Sequence, residues 1–150
     1  MEKSILVAIS DSASSRAVLD CVETLFLNDK EVKITLCHIF RQPSASSELM
    51  GKKFTAKETK RREAILLDAR ARIVNWGGDP ARIHTLLAAE PYPTVADGII
   101  DQQKKYHYDI IVIGRKKMSK AEEFVMGDAS VRLVRAIEDA SILVVKTRQK

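Results

Sequence analysis

Two glycines stand where the backbone of this chain could meet a small molecule. Gly114 ends the apolar run that begins at Ile110, and Gly127 directly precedes a helical pattern. Without a Cβ atom, glycine lets the chain bend sharply or lets a ligand approach the peptide groups closely. The stretch between the two glycines begins with the basic residues 115–117, which can donate charge-assisted hydrogen bonds to an anion. The sequence therefore predicts that any small-molecule site includes these two glycines.

Asp128, directly after the second glycine, bears on whether an anion could be held there. A helix N-terminus attracts phosphate because its first amides lack partners and the helix dipole is positive at that end. Aspartate is among the best N-cap residues, so Asp128 can satisfy those amides itself. Two like charges about 4 Å apart repel by on the order of 4 kcal/mol at an effective dielectric constant of about 20, whereas micromolar binding amounts to about 8 kcal/mol. One carboxylate could thus make micromolar affinity negligible. Arg115, Lys116 and Lys117 could oppose this effect, each through a charge-assisted hydrogen bond of about 1.5 to 3 kcal/mol.

Strand and helix patterns alternate on both sides of the stretch between Gly114 and Gly127. The predicted strands are residues 5–9, 32–39, 82–88, 109–114 and 141–146. The first predicted helix follows the cap residues 10–14, and the second runs from about residue 55 to residue 76. The third carries Val95, Ile99 and Ile100, and the last has an apolar face formed by Val131, Val134 and Ile137. Residues 41–51 are predicted to form a polar loop, and residues 91–94 a turn.

Unbroken apolar runs such as residues 5–9 are typical of strands that helices cover on both faces. Strict alternation implies right-handed crossovers and a parallel sheet. We therefore expect a doubly wound α/β fold, with residues 1–150 forming a single domain. In such folds ligands bind beyond the carboxyl ends of the strands, which is where Gly114 lies.

The composition excludes several classes of protein. With 150 residues, 45% of them apolar and 30% charged, the chain has the content of a globular protein. No apolar run approaches the roughly 20 residues that span a bilayer, and the strand-like run at Ile5 leaves no room for a leader peptide. A cytoplasmic location is therefore expected. The formal charge of +5 comes largely from residues 52–62 and 115–120. A single aromatic residue, Phe54, lies within these clusters. Single-strand binding uses several interleaved aromatic residues, so nucleic-acid binding is not favoured.

No set of side chains indicates catalysis or a metal. His38, His84 and His107 lie far apart on different predicted elements, and each is expected to be a hydrogen-bonded structural histidine. Cys21 and Cys37 lack metal-ligand spacing. We expect a protein without enzymatic activity and without a metal site.

The glycine motif and its surroundings resemble the universal stress protein family over residues 5–146. The family motif is a strand, then G-x-x-G, nine residues, and a glycine followed by serine or threonine; here Gly114 and Gly127 match it in residue and in separation. The opening strand, Ser12 and Ser15 after it, and the closing strand also match the family pattern.

The resemblance implies the sheet order 3-2-1-4-5, as in adenine-nucleotide alpha-hydrolase-like folds, and in many members an ATP site. It implies a homodimer formed through the last strand, at Ile142, Leu143, Val144 and Val145. It also implies that adenine would contact backbone around Ile9, Ser10 and Ile39. The phosphates would lie against the end of the fourth strand and the start of the last helix, at Gly114, Arg115, Lys117, Gly127, Asp128, Ala129 and Ser130.

Several positions on the ligand side depart from the family pattern. Lys117 occupies the position of the middle glycine of the family motif, and Asp128 occupies the position of its serine or threonine. Ser10 stands where an aspartate usually ends the first strand, with Asp11 displaced by one residue, and Pro91 stands where glycine is common. Because the core pattern is intact, the fold and the ligand are separate questions.

Residues 119–122, Ser-Lys-Ala-Glu, match the S-x-x-E capping box and predict a short helical turn. Such a turn would further fill the space between the two glycines.

Three hypotheses remain after the sequence alone. The leading one is a non-enzymatic universal stress-type regulatory protein, cytoplasmic and dimeric, whose altered nucleotide site does not hold ATP tightly. The alternative is a switch that binds ATP or AMP through basic loop residues and a magnesium ion, which could bridge Asp128 and the phosphates. The third is an interaction module whose basic surface at residues 52–62 docks an acidic partner or nucleic acid.

Overall fold

The computed structural model describes residues 2–10, 13–41, 51–115, 119–121 and 128–147. Strands and helices alternate along the chain, as the apolar pattern predicts. The strands are β1 Lys3–Ala8, β2 Val32–Arg41, β3 Ile83–Tyr92, β4 Ile110–Arg115 and β5 Ser141–Lys146. The helices are α1 Ala13–Phe26, α2 Gly51–Asn75, α3 Val95–Tyr106 and α4 Ala129–Ala136, with a 3₁₀ turn at Pro80–Arg82.

The strands form a five-stranded sheet in the order β3-β2-β1-β4-β5. Every neighbouring pair is parallel. This confirms the predicted fold class and strand order. The chain moves outward from β1 to β3 and then crosses to β4, so the direction of winding reverses between β1 and β4. The carboxyl ends of these two strands are where a doubly wound fold forms its ligand crevice.

Helices cover the sheet on both faces, and each face has its own apolar core. Val7 of β1 packs in the cluster that includes Val18 of α1 and Leu66 of α2. The adjacent residue Leu6 packs in the opposite cluster, with Ile99 of α3. Since successive side chains of a strand point to opposite faces, burial of both explains why β1 reads as an unbroken apolar run.

Three predicted boundaries are wrong by a few residues. Arg41, predicted to lie in a loop, ends β2, and Gly51 begins α2. Pro91 and Tyr92, predicted to turn, still belong to β3. Proline is tolerated there because β3 is an edge strand and one side of its ladder has no strand to bond. Tyr92 pairs with Arg41 after a register shift.

The predicted apolar face of the last helix is wrong for Val131 and Val134 and confirmed for Ile137. Val131 and Val134 are exposed, with 45% and 62% of their surface accessible. Ser130 and Leu133 are the buried residues of α4, and Ile137 is buried one position beyond its end. Both pairs have the three-residue spacing of one helix face, so a polar serine on the inner stripe hid the true face from the pattern.

Within the described ranges no helix combines the length and apolar character needed to cross a membrane.

Candidate functional site

The predicted site residues gather at the carboxyl ends of β1, β2 and β4 and at the start of α4. Ile9 and Ser10 directly follow β1, Ile39 lies in β2, and Gly114 and Arg115 end β4. The remaining described positions lie at the N-terminus of α4, at Asp128, Ala129 and Ser130. The predictions on Asp11, Ser12, Lys117 and Gly127 concern positions outside the described residues.

Asp128 caps α4 and pairs with the last residue of β4. Its Oδ1 accepts hydrogen bonds from the Ser130 amide at 3.0 Å and from the Ser130 hydroxyl at 2.6 Å. Its Oδ2 accepts from Arg115, through Nε at 3.0 Å and Nη2 at 2.6 Å. The predicted N-cap is therefore confirmed. The pairing with Arg115 was not predicted.

The hydrogen bonds keep the Asp128 carboxyl ionised. Only 12% of its side chain is accessible, and burial by itself would raise its pKa. Donation from Ser130 and Arg115 outweighs burial, so the pKa of Asp128 lies below its ordinary value. Asp128 thus supplies a fixed negative charge at the α4 N-terminus, and the Arg115 cation is already neutralised by it.

Gly114 lies against helix α1 as well as at the predicted nucleotide site. It lies inside β4, paired with Val145, without a left-handed backbone. A Cβ atom on Gly114 would come within 3.0 Å of Cγ2 of Val18 and 3.1 Å of the Ser14 carbonyl oxygen. Packing of α1 onto β4 therefore leaves little room for a Cβ atom here, whether or not a ligand binds.

A serine closes the turn after β1. The Ser10 amide donates to Oγ of Ser15 at 2.7 Å, and the two hydroxyls lie 3.1 Å apart. Ser15 is buried in the first turn of α1. The backbone amide at Ser10, one of the groups predicted to meet adenine, is thus bonded within the chain.

His38 holds the carbonyl of Ile9. Its Nδ1 lies 2.8 Å from that oxygen, and its Nε2 lies 2.8 Å from Nη1 of Arg62. A guanidinium group only donates, so Nε2 accepts and the proton sits on Nδ1, which donates to Ile9. His38 is buried, and the prediction of a hydrogen-bonded structural histidine is confirmed for it.

Arg62 is the site-side residue that sequence reasoning missed. Its guanidinium carbon lies 4.5 Å from the centre of the Phe40 ring, and its Nε lies 3.6 Å from Oε2 of Glu58. A signal was present in the sequence. Arg62 continues the stripe of Leu66, Ala69 and Ile73, at helical spacing on the inner side of α2, and a charge on an apolar stripe indicates a partner.

Ile39 is held by α3. It is buried in the core cluster on the α3 side of the sheet. A Cβ atom on Gly98 of α3 would come within 2.9 Å of Cδ1 of Ile39 and 3.0 Å of the Tyr92 ring. The Ile39 side chain therefore belongs to the packing between β2 and α3.

Other predictions on this side of the sheet are partly open. Lys120 and Ala121 are helical, in agreement with the predicted turn, while Glu122 lies outside the described residues.

The basic surface of α2 is partly neutralised, because Oε2 of Glu58 lies 3.3 Å from Nη2 of Arg61 as well as near Arg62. The side chains of residues 51–55 are not among those described. No group of three or more histidine, cysteine or carboxylate residues in the described ranges is arranged to hold a metal ion.

A model of the universal stress protein family matches residues 1–146. The chain belongs to this family. The universal stress protein UspA from Lactobacillus plantarum has a TM-score of 0.69 at 14% identity, over 95% of this chain and 97% of that one. Among curated proteins none matches the chain significantly.

Two other similar structures of universal stress proteins contain an adenine nucleotide. One, in complex with cAMP, has a TM-score of 0.67 at 16% identity over 95% of both chains. The other, from Archaeoglobus fulgidus in complex with dAMP, has a TM-score of 0.60 at 19% identity over 96% of this chain and 98% of that one. At such identities the likeness establishes the fold alone.

Within this universal stress protein, the described groups at the predicted site bond to one another. The Ile9 carbonyl accepts from His38, the Ser10 amide donates to Ser15, and Asp128 bonds both Ser130 and Arg115. A triphosphate at the α4 N-terminus would have to separate Arg115 from Asp128 or lie beside an ionised carboxylate.

Proposed function

We propose that this universal stress protein is a non-enzymatic, cytoplasmic regulatory protein whose altered nucleotide site does not hold ATP tightly. The observation that carries the proposal is the pair of Asp128 with Arg115 at the α4 N-terminus. The cation that would otherwise attract phosphate has its charge balanced within the chain. The amide of Ser130, which would bond a phosphate oxygen, already donates to Asp128.

Isothermal titration with ATP and magnesium tests this proposal. The wild-type protein is expected to give no binding in the micromolar range. Asp128→Ser restores the family residue, keeps a capping hydroxyl and releases Arg115, so it is expected to bind at least about tenfold more tightly than wild type. Low-micromolar binding to the wild-type protein would reject the proposal.

Asp97→Ser is the matched control for that variant. Asp97 also lies at the start of a helix, in the first turn of α3, and it pairs with an arginine, Arg132 of α4. Because Asp97 lies in α3 and not at the predicted phosphate site, its replacement is expected to leave nucleotide binding unchanged. An equal gain in both variants would show that net charge, and not the α4 cap, controls affinity.

The second candidate function is an adenine-nucleotide switch. Its support is that the two similar proteins described above were solved with cAMP and with dAMP. Each of these ligands carries one phosphate, so it makes fewer demands on the α4 N-terminus than a triphosphate does. Titration with AMP and cAMP separates the candidates, because micromolar affinity for either, without affinity for ATP, would favour the switch.

We also propose that the protein forms a homodimer through β5. This strand ends the sheet, and Ile142, Leu143, Val144 and Val145 along it are all partly exposed. An unpaired apolar edge is an aggregation hazard that pairing with a second copy would remove. Sedimentation equilibrium is expected to show a dimer, and a monomer at high micromolar concentration would contradict the proposal.

A further inference from the structure

The amino end of the sheet carries an open cavity, on the side opposite to the predicted nucleotide site. Its volume is about 530 Å³. That lies within the range of about 300–1,000 Å³ typical of small-molecule sites. Two turns form its walls, one between α1 and β2 and the other between α2 and β3. Phe26, Leu27 and Ile83 contribute apolar surface, and charged side chains of both turns stand at the rim.

The backbone around this cavity is firmly held. The amide of Gly78 donates to the carbonyl of Ile73 at 3.0 Å and closes the end of α2, while Gly77 adopts a φ of 110°. Arg70 donates to the carbonyl oxygens of Ile83 and Pro80, each at 3.0 Å. A ligand would meet walls that are already in place, so little ordering would oppose its binding.

The two acidic residues of the rim already have partners within the chain. Asp29 accepts from the amide of Glu31 at 2.9 Å and from Nζ of Lys3 at 3.3 Å. The hydrogen bond from Glu31 is the main cause that keeps the pKa of Asp29 below its ordinary value. Asp79 accepts from the amide of Ala81 at 3.0 Å and caps the 3₁₀ turn.

The two basic residues of the rim, Lys30 and Arg82, differ from the acidic ones in this respect. Among the described residues, neither the Lys30 ammonium group nor the Arg82 guanidinium group makes a hydrogen bond or ion pair, although both residues line the cavity. The donors that remain for a ligand therefore include two cations, with the neutral side-chain amide of Asn28 beside them, and they lie next to apolar wall surface. The chemical complement is a molecule that is apolar over most of its surface and carries one negative charge.

We propose that this cavity binds an organic anion with an apolar body. The anionic group pairs with Lys30 and Arg82, and the apolar body lies against Phe26, Leu27 and Ile83. The cavity shares no residue with the predicted nucleotide site, so this proposal does not depend on the proposed function.

Titration with the fluorescent anion anilinonaphthalene sulfonate, followed by amide NMR, tests the site. Saturable shifts are expected at residues 26–34 and 77–83. The double variant Lys30→Ala/Arg82→Ala is expected to weaken binding by at least about tenfold, because it removes both charge-assisted partners. The matched control is Lys33→Ala/Arg72→Ala, which removes the same charge from exposed positions that do not line the cavity.

A ligand series of one chain length separates charge from apolar contact. Decanoate is expected to displace the fluorescent anion, whereas decanol and decylamine are expected to compete much more weakly. The proposal is overturned if the probe does not bind, if its shifts map elsewhere, if both double variants weaken binding equally, or if decylamine competes as well as decanoate. Asp128→Ser is expected to leave the affinity for the probe unchanged.

Discussion

The helices α3 and α4 differ in how the unpaired amides of their first turns are capped. Each helix begins at the carboxyl end of the sheet, and each has an ionised aspartate paired with an arginine. At α3 the cap is Thr94, whose hydroxyl accepts from the Asp97 amide at 3.1 Å, and Asp97 bonds back to the Thr94 amide. At α4 a single carboxylate, that of Asp128, serves as both the cap and the partner of the arginine.

The two aspartate–arginine pairs also differ in exposure. Arg132 is 50% exposed and its partner Asp97 27%, whereas Arg115 is 27% exposed and Asp128 12%. Solvent therefore screens the pair of Asp97 and Arg132, which joins α3 to α4, more than the pair of Asp128 and Arg115. The comparison teaches that a charge at a helix N-terminus can be an accessory to capping or can replace the anion that the helix would otherwise recruit.

The largest effect is expected from removing the α4 carboxylate. Asp128→Ala deletes the cap and leaves Arg115 without its partner, so the free energy of unfolding should fall by about 2 kcal/mol. Asp97→Ala should cost clearly less, because the Thr94 hydroxyl still caps α3. Urea denaturation measures both. Equal losses would remove the distinction between the two helix starts.

A pair of double-mutant cycles isolates the ion pairs from the caps. Asparagine is as good an N-cap as aspartate, so Asp128→Asn keeps the cap and removes only the charge. The cycle with Arg115→Gln is expected to give a coupling energy of about 1 kcal/mol. The cycle of Asp97→Asn with Arg132→Gln should give a smaller one. A larger coupling at α3 than at α4 would contradict the comparison.

The pH dependence of stability should report the Asp128 pair. A carboxyl group whose pKa is lowered by folding stabilises the protein above its unfolded pKa, and this stabilisation is lost as the pH falls through the folded pKa. The pKa of Asp128 lies below its ordinary value of 3.8. The advantage of wild type over Asp128→Asn should be constant above about pH 5 and shrink below about pH 4. Thermal unfolding from pH 7 to pH 3 measures it, and an advantage that grows on acidification would refute the assignment.

The smallest effect is expected from salt. Raising the ionic strength from about 0.1 M to about 1 M shortens the screening length from about 10 Å to about 3 Å. The coupling between Asp97 and Arg132 should then weaken more than that between Asp128 and Arg115, because it is more exposed. Repeating both cycles at the higher salt concentration tests this, and the opposite ranking would argue against burial as the cause.

The fold and the α4 cap could be predicted because both depend on short stretches of sequence. The central strands β1 and β4 each contain an unbroken apolar run, and the strand order followed from the family resemblance. The cap of Asp128 joins residues only two apart. Such local rules do not require knowledge of which elements pack together.

The rest of the site depends on contacts between distant parts of the chain. His38 and Arg62 are 24 residues apart in the sequence, and Arg115 and Asp128 are 13 apart. The close packing around Gly114 comes from the approach of α1, which starts at Ala13. From sequence alone, a glycine required by helix packing and one required by a ligand look the same.

The central claim is that Asp128 occupies the place of a ligand phosphate at the start of α4. The amide resonance of Ser130 tests it most directly, because this amide donates to Asp128 at 3.0 Å. During a titration with ATP and magnesium the wild-type resonance is expected to stay in place up to millimolar nucleotide, and the resonance in Asp128→Ser is expected to shift and saturate. A saturating shift in the wild-type protein at low micromolar ATP would contradict the account.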